Sequence, residues 1–224
     1  MSMSSLIYIG LLVAAWLLIK TAPRLVVRQV GRFAAGKIGE AALAKVPDQI
    51  QLWRVGAPQW QDPASVQQQA TALGRAGFSD LGVYSVDKMP GVLIGMLFQP
   101  QTYVSAQICE HPKAGGWIEF ATRYSDGSSD FLTTMADQGI TPPPFVRTNR
   151  AAKGTPSDSL YQLHLKQRKA NGIKPVSPND VIHEFEDAYM RYMIWKNNTG
   201  LTPEEVAHRV QEWSKAKKQA AGQS

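Results

Sequence analysis

The chain has 224 residues, a net charge of +6 and one cysteine, Cys109. A single cysteine excludes an intrachain disulfide framework and a thiolate metal cluster. The basic excess is local: seven positive residues against two acids lie between Lys20 and Arg54, so the remainder of the chain is close to neutral. Setting aside the first ~45 residues leaves enough chain for one good hydrophobic core.

The first element is the apolar run Leu6–Ile19, which carries no charge. Exposed to water it would present more apolar surface than a soluble chain tolerates. It spans about 20 Å as a helix, against a hydrocarbon core of ~30 Å. Ser2–Ser5 can enter the membrane edge, and Lys20 and Arg24 can snorkel. The charges follow the run, and Ile19-Lys20-Thr21 is a poor cleavage site, so an uncleaved anchor over 1–22 is expected in place of a signal peptide.

Segment 23–46 reads as a basic amphipathic helix. Arg24, Arg28 and Arg32 recur at four-residue spacing beside a stripe of Val26, Val30, Phe33, Ala34, Ile38 and Ala41. Such a helix can lie on an anionic leaflet or pack on protein. Lys20, Arg24, Arg28, Arg32 and Lys37, with Trp16, Trp53 and Trp60, are the candidate membrane- or partner-binding residues. The positive collar places the C-terminal part in the cytoplasm and the N-terminus outside an inner membrane. The partners expected are membrane lipid and a membrane protein. Nucleic acid is not expected, because no aromatic residues interleave the basic ones.

A glutamine- and proline-rich linker over 47–62 leads to a cytoplasmic α+β domain over 63–200. Asp62-Pro63 starts a helix that Gly77 stops. Thr155-Pro156, Ser177-Pro178 and Thr202-Pro203 repeat the start signal, and the last continues to Glu205 as a full capping box. Between Phe78 and Ala136 the periodicity changes to five strands: Gly82–Lys88, Val92–Gln99, Tyr103–Glu110, Trp117–Tyr124 and Asp130–Met135. Their links are short turns at Met89-Pro90-Gly91, Gln99-Pro100-Gln101, His111–Gly116 and Asp126-Gly127-Ser128, which predicts an antiparallel meander.

Alternation separates the two faces of that sheet. Val104, Ala106, Ile108, Ile118 and Phe120 make one face apolar, and helices are expected to cover it alone. The other face is mixed. Asp137–Gly154, with Pro142-Pro143-Pro144, reads as a long strap or recognition loop. Helices follow over Ser157–Ala170, Pro178–Asn197 and Pro203–Ala220, the last within a C-terminal helix and basic tail over 201–224. The expected class is therefore α+β: an anchor, a basic juxtamembrane helix, and a five-stranded sheet with helices on one face.

Chemistry-bearing motifs are sparse. His183-Glu184-Phe185-Glu186-Asp187 has an aspartate where a zinc-protease helix needs its second histidine. The four histidines show no ligand spacing, and no phosphate loop or nucleophile elbow is present. No metal or cofactor is expected. The one constellation to carry forward is Tyr103, Gln107, His111, Glu119 and Arg123 on the mixed face, where a concave surface would bind a polar ligand. The pattern points to a membrane-anchored interaction protein, an accessory or assembly subunit of an inner-membrane complex. The alternative is a tethered small-ligand-binding domain using that face, and an enzyme is the least supported reading.

Overall fold

The computed structural model describes residues 46–112, 114–137, 139–202 and 205–206. The chain divides into two compact units, Pro47–Thr199 and Met1–Val46 together with Gly200–Ser224. The expected anchor, the basic collar (Trp16, Lys20, Arg24, Arg28, Arg32, Lys37) and the C-terminal tail lie outside the described residues. No helix among the described residues is long and apolar enough to cross a membrane. In the second unit the capping box forms reciprocally. Glu205 N donates to Thr202 Oγ1 at 3.2 Å and Thr202 N donates to Glu205 Oε2 at 2.8 Å.

The Pro47–Thr199 unit is α+β. Its strands are β1 (Leu52–Arg54), β2 (Ser79–Val86), β3 (Met89–Gln99), β4 (Val104–His111), β5 (Gly115–Arg123), β6 (Ser129–Thr133) and β7 (Val146–Arg150). They form one seven-stranded sheet in chain order, antiparallel except between β6 and β7. Helix α1 (Pro63–Arg75) precedes β2; α2 (Ser157–Gln167) and α3 (Val181–Thr199) follow β7.

The local signals act largely as expected. Asp62 caps α1 through Ser65 N at 3.0 Å, and Gly77 takes φ +86° just after it. Ser177 caps the 3₁₀ turn Pro178–Asp180 that leads into α3. Thr155 does not cap α2. Its hydroxyl turns back to the Ala152 carbonyl at 2.8 Å, and α2 begins at Ser157 without a side-chain cap. Asp126 closes the β5–β6 turn by accepting from Ser128 N at 2.8 Å. The β2–β3 turn sits at Asp87-Lys88, two residues before the expected Met89-Pro90-Gly91, with Lys88 at φ +61°.

Seven strands replace the expected five. β1 is carved from the linker, as a three-residue edge strand. β7 arises inside the expected Asp137–Gly154 strap and runs parallel to β6. A parallel return needs a crossover of about a dozen residues, and the proline-rich stretch 134–145 supplies it.

Helices cover both faces, which corrects the expectation of one. Leu97, Val104, Ala106, Ile108, Ile118, Phe120 and Leu132 pack under α1 and α2 with Leu73, Leu160 and Tyr161. The opposite face is mixed only on β4 to β6. On β2 and β3 it presents Val86, Val92, Ile94, Met96 and Phe98, and α3 covers these with Val181, Ile182, Phe185 and Tyr189. β3 is a continuous apolar run, the pattern of a strand buried on both sides. Tyr189 and Asn197 tie α3 to the incoming chain at Pro47 and Asp48.

On the α2 side, β7 is fastened by an ion pair between a buried carboxylate and a half-exposed guanidinium. Arg147 donates to Asp130 through Nε at 2.9 Å and through Nη2 at 2.6 Å. Tyr124 Oη and the Lys169 amide donate to the same carboxylate. One acid thus joins β6, β7 and the chain leaving α2.

Candidate functional site

The mixed face of β5 and β6 is where α3 leaves room. Strand parity puts Glu119, Arg123, Ser129, Phe131 and Thr133 on this face, with Glu119 paired to Thr133 and Arg123 to Ser129. β7 closes one side with Val146 and Thr148, and α3 presents Phe185, Ala188, Tyr189, Arg191 and Tyr192 from above. The result is a cavity of about 250 Å³ with a largely apolar wall. That volume lies near the lower end for small-molecule sites, which span roughly 300–1,000 Å³.

Its polar groups are few. Glu119 Oε1 accepts from Trp117 Nε1 and Thr133 Oγ1, each at 3.1 Å. Burial raises the Glu119 carboxyl above the ordinary range, opposed by these two hydrogen bonds and by Arg123. Arg123 donates to Ser129 Oγ at 2.8 Å and rests on the Phe131 ring, 5.0 Å from its centroid. Burial first, then the neighbouring Arg191 charge, pushes the Arg123 guanidinium down to about 10, so it stays charged at neutral pH. Arg191 lies on the exposed side of α3, with Nη1 3.4 Å from the Gly127 carbonyl.

The five expected ligand residues are only partly brought together. Glu119 and Arg123 face the cavity. Gln107 pairs with Glu119 across the strands but does not reach the cavity. It is 1 % exposed, and its amide nitrogen donates to Ser105 Oγ at 2.9 Å. Its Oε1 is buried without a hydrogen-bond partner. Tyr103 lies in the β3–β4 corner at φ +53° and lines a small separate recess beside Arg123. His111 is at the far hairpin, where Nδ1 accepts from Ala114 N at 3.1 Å. It therefore belongs to a turn and is removed from the cavity.

Of the expected docking tryptophans, Trp53 is 60 % exposed on the edge strand β1. Trp60 is half-buried against the sheet, with its ring beside Gly95 of β3.

The sequence carries no motif that marks the aromatic wall as a site. Phe185 and Tyr189 were legible as an apolar helix stripe, but Phe145 and Val146 belong to a stretch read as loop. No motif in the sequence sets Arg191 apart. Chemically the cavity can bind an apolar group and present one acid and two cations to it. Thiolate chemistry is disfavoured: burial, then the Glu119 charge, pushes the Cys109 thiol well up. Among the described residues no group of three His, Cys, Asp or Glu side chains is placed to hold a metal ion.

No family model, curated protein or solved structure matches this chain.

Proposed function

We propose that the chain is a membrane-tethered binding module whose Pro47–Thr199 unit takes a small amphipathic ligand on the mixed face of the sheet. The observation that carries this reading is the cavity between β5–β7 and α3, with an apolar wall and three charged side chains. The tether is the apolar run Leu6–Ile19 with its basic collar, which orients the unit toward the cytoplasm.

A second reading, an accessory or assembly subunit of an inner-membrane complex, draws on a different observation. Trp53 is exposed on a short edge strand, and exposed aromatic side chains are common anchors at protein interfaces.

Native mass spectrometry of the full chain, released gently from its own membranes, separates the two. The binding-module reading expects a small organic adduct on the wild-type chain that Ala188→Trp removes, because Ala188 lines the cavity and the indole fills it. A co-released protein without such an adduct would favour the accessory subunit. A bare chain in both samples would count against both readings.

A further inference from the structure

The cavity is polar at two places that strand geometry holds apart. Glu119 and Arg123 lie on the same face of β5, four residues apart, which separates their backbones by ~13 Å. Arg123 and Arg191 also line an adjoining polar recess of about 240 Å³, together with Ser128, Lys174 and Glu184. The acids around that recess are engaged. Glu184 pairs with Lys174, and Asp126 accepts from Ser128 and pairs with Lys169. Among the described residues neither Arg123 nor Arg191 has a carboxylate within ion-pair distance. Two guanidinium groups thus meet at one end of the cavity with no carboxylate in direct contact, Glu184 and Glu119 acting on Arg123 only from a distance, and an anion there would relieve their repulsion.

At the other end Glu119 is half-buried. Its two hydrogen bonds both fall on Oε1, so Oε2 has no donor among the described residues. A purely apolar ligand would press a methyl group against this acid and remove it from water without replacing the lost hydrogen bonds. Phe131, Phe185, Tyr189 and Tyr192 line the space between the two ends.

We infer that the cavity selects an acid with two polar ends: a carboxylate held by Arg123 and Arg191, an apolar spacer against the aromatic wall, and a hydroxyl donating to Glu119. This rests on the reading of the cavity as a binding site. The volume limits the spacer. About 250 Å³ accommodates roughly eight water-sized groups of ~30 Å³, so an eight-carbon acid fits with its carboxylate oxygens reaching into the adjoining recess, and a two-chain phospholipid does not.

The test is equilibrium dialysis of the full chain in lipid nanodiscs against 8-hydroxyoctanoate, octanoate and 1-octanol, with empty nanodiscs correcting for partition into lipid. The expected order of affinity is 8-hydroxyoctanoate, then octanoate severalfold weaker, then octanol about tenfold weaker again. Arg191→Ala, on the exposed side of α3, should weaken both acids about tenfold and leave octanol unchanged. Octanol binding as tightly as octanoate would overturn the anion end while leaving a binding cavity in place. Octanoate matching 8-hydroxyoctanoate would overturn the role of Glu119. Failure of all three to bind would overturn both the inference and the reading beneath it.

Discussion

Replacing Asp130 with alanine is expected to destabilise the Pro47–Thr199 unit by about 2–3 kcal/mol. Asp130 is 2 % exposed and accepts from Arg147, Tyr124 and the Lys169 amide. Removing it takes a charged acceptor from a buried tyrosine hydroxyl and a backbone amide, which keep only the hydrogen bonds between Tyr124 and Lys169, and frees the guanidinium that holds β7 to β6. β7 is a short polar edge strand with little apolar surface of its own, so other contacts compensate poorly. For a unit of this size the loss corresponds to a fall in melting temperature of roughly 5–10 °C, readable by tryptophan fluorescence of the detergent-solubilised chain. Asp126→Ala is the matched control, since that carboxylate is solvent-exposed in the neighbouring turn. It should lower the midpoint by only a few degrees, since what it loses is an exposed ion pair and a turn hydrogen bond open to water. Equal behaviour of the two variants would contradict the fastening role of Asp130.

Stability should also fall by up to ~3 kcal/mol as pH drops from about 6.5 to about 4. The group responsible is His164, on the inner face of α2 and 1 % exposed. Its Nε2 shares a hydrogen bond of 2.8 Å with Thr122 Oγ1, and its ring stacks on Phe120. Burial, with Arg168 next, pushes the imidazole down to about 4. The unfolded chain takes up this proton near pH 6.5 while the folded chain resists it until about 4. Between those values the unfolded state holds the extra proton, so acid favours unfolding. The stabilisation is complete above pH 6.5 and is lost on descent. Asp130 adds to the loss at lower pH: its hydrogen bonds hold the carboxyl below its ordinary value against the opposing effect of burial. Denaturant titrations at stepped pH should show this slope in the wild type and a flatter profile over pH 6.5–4 for His164→Gln, which keeps a partner for Thr122. An identical slope in both would remove His164 as the cause.

Much of the site's backbone was readable before the structure. Alternation in Val104–Ile108 and Ile118–Thr122 places Glu119 and Arg123 together on one face, and the structure has them on one cavity wall. Three things were hidden. β7, Val-Arg-Thr-Asn-Arg, has one aliphatic residue in five, and its strand character comes from pairing with β6 and from Asp130. β1 is too short for any periodicity to appear. The coverage of the mixed face follows from β3, whose residues are apolar on both sides. That signal lay one strand away from the residues that made the face look polar. Because α3 spans only part of this face and β7 walls its far side, a surface that alternation alone reads as solvated becomes a cavity.

Photolabelling tests the cavity most directly. An eight-carbon acid bearing a diazirine on its chain would be irradiated with the full chain in nanodiscs, and the labelled peptides mapped by mass spectrometry. The prediction is label on the peptides carrying Phe131 and Phe185–Tyr192, competed by excess octanoate and lost in Ala188→Trp. Label confined to the apolar run Leu6–Ile19, indifferent to octanoate and to Ala188→Trp, would contradict the claim that this unit binds a ligand between α3 and the sheet.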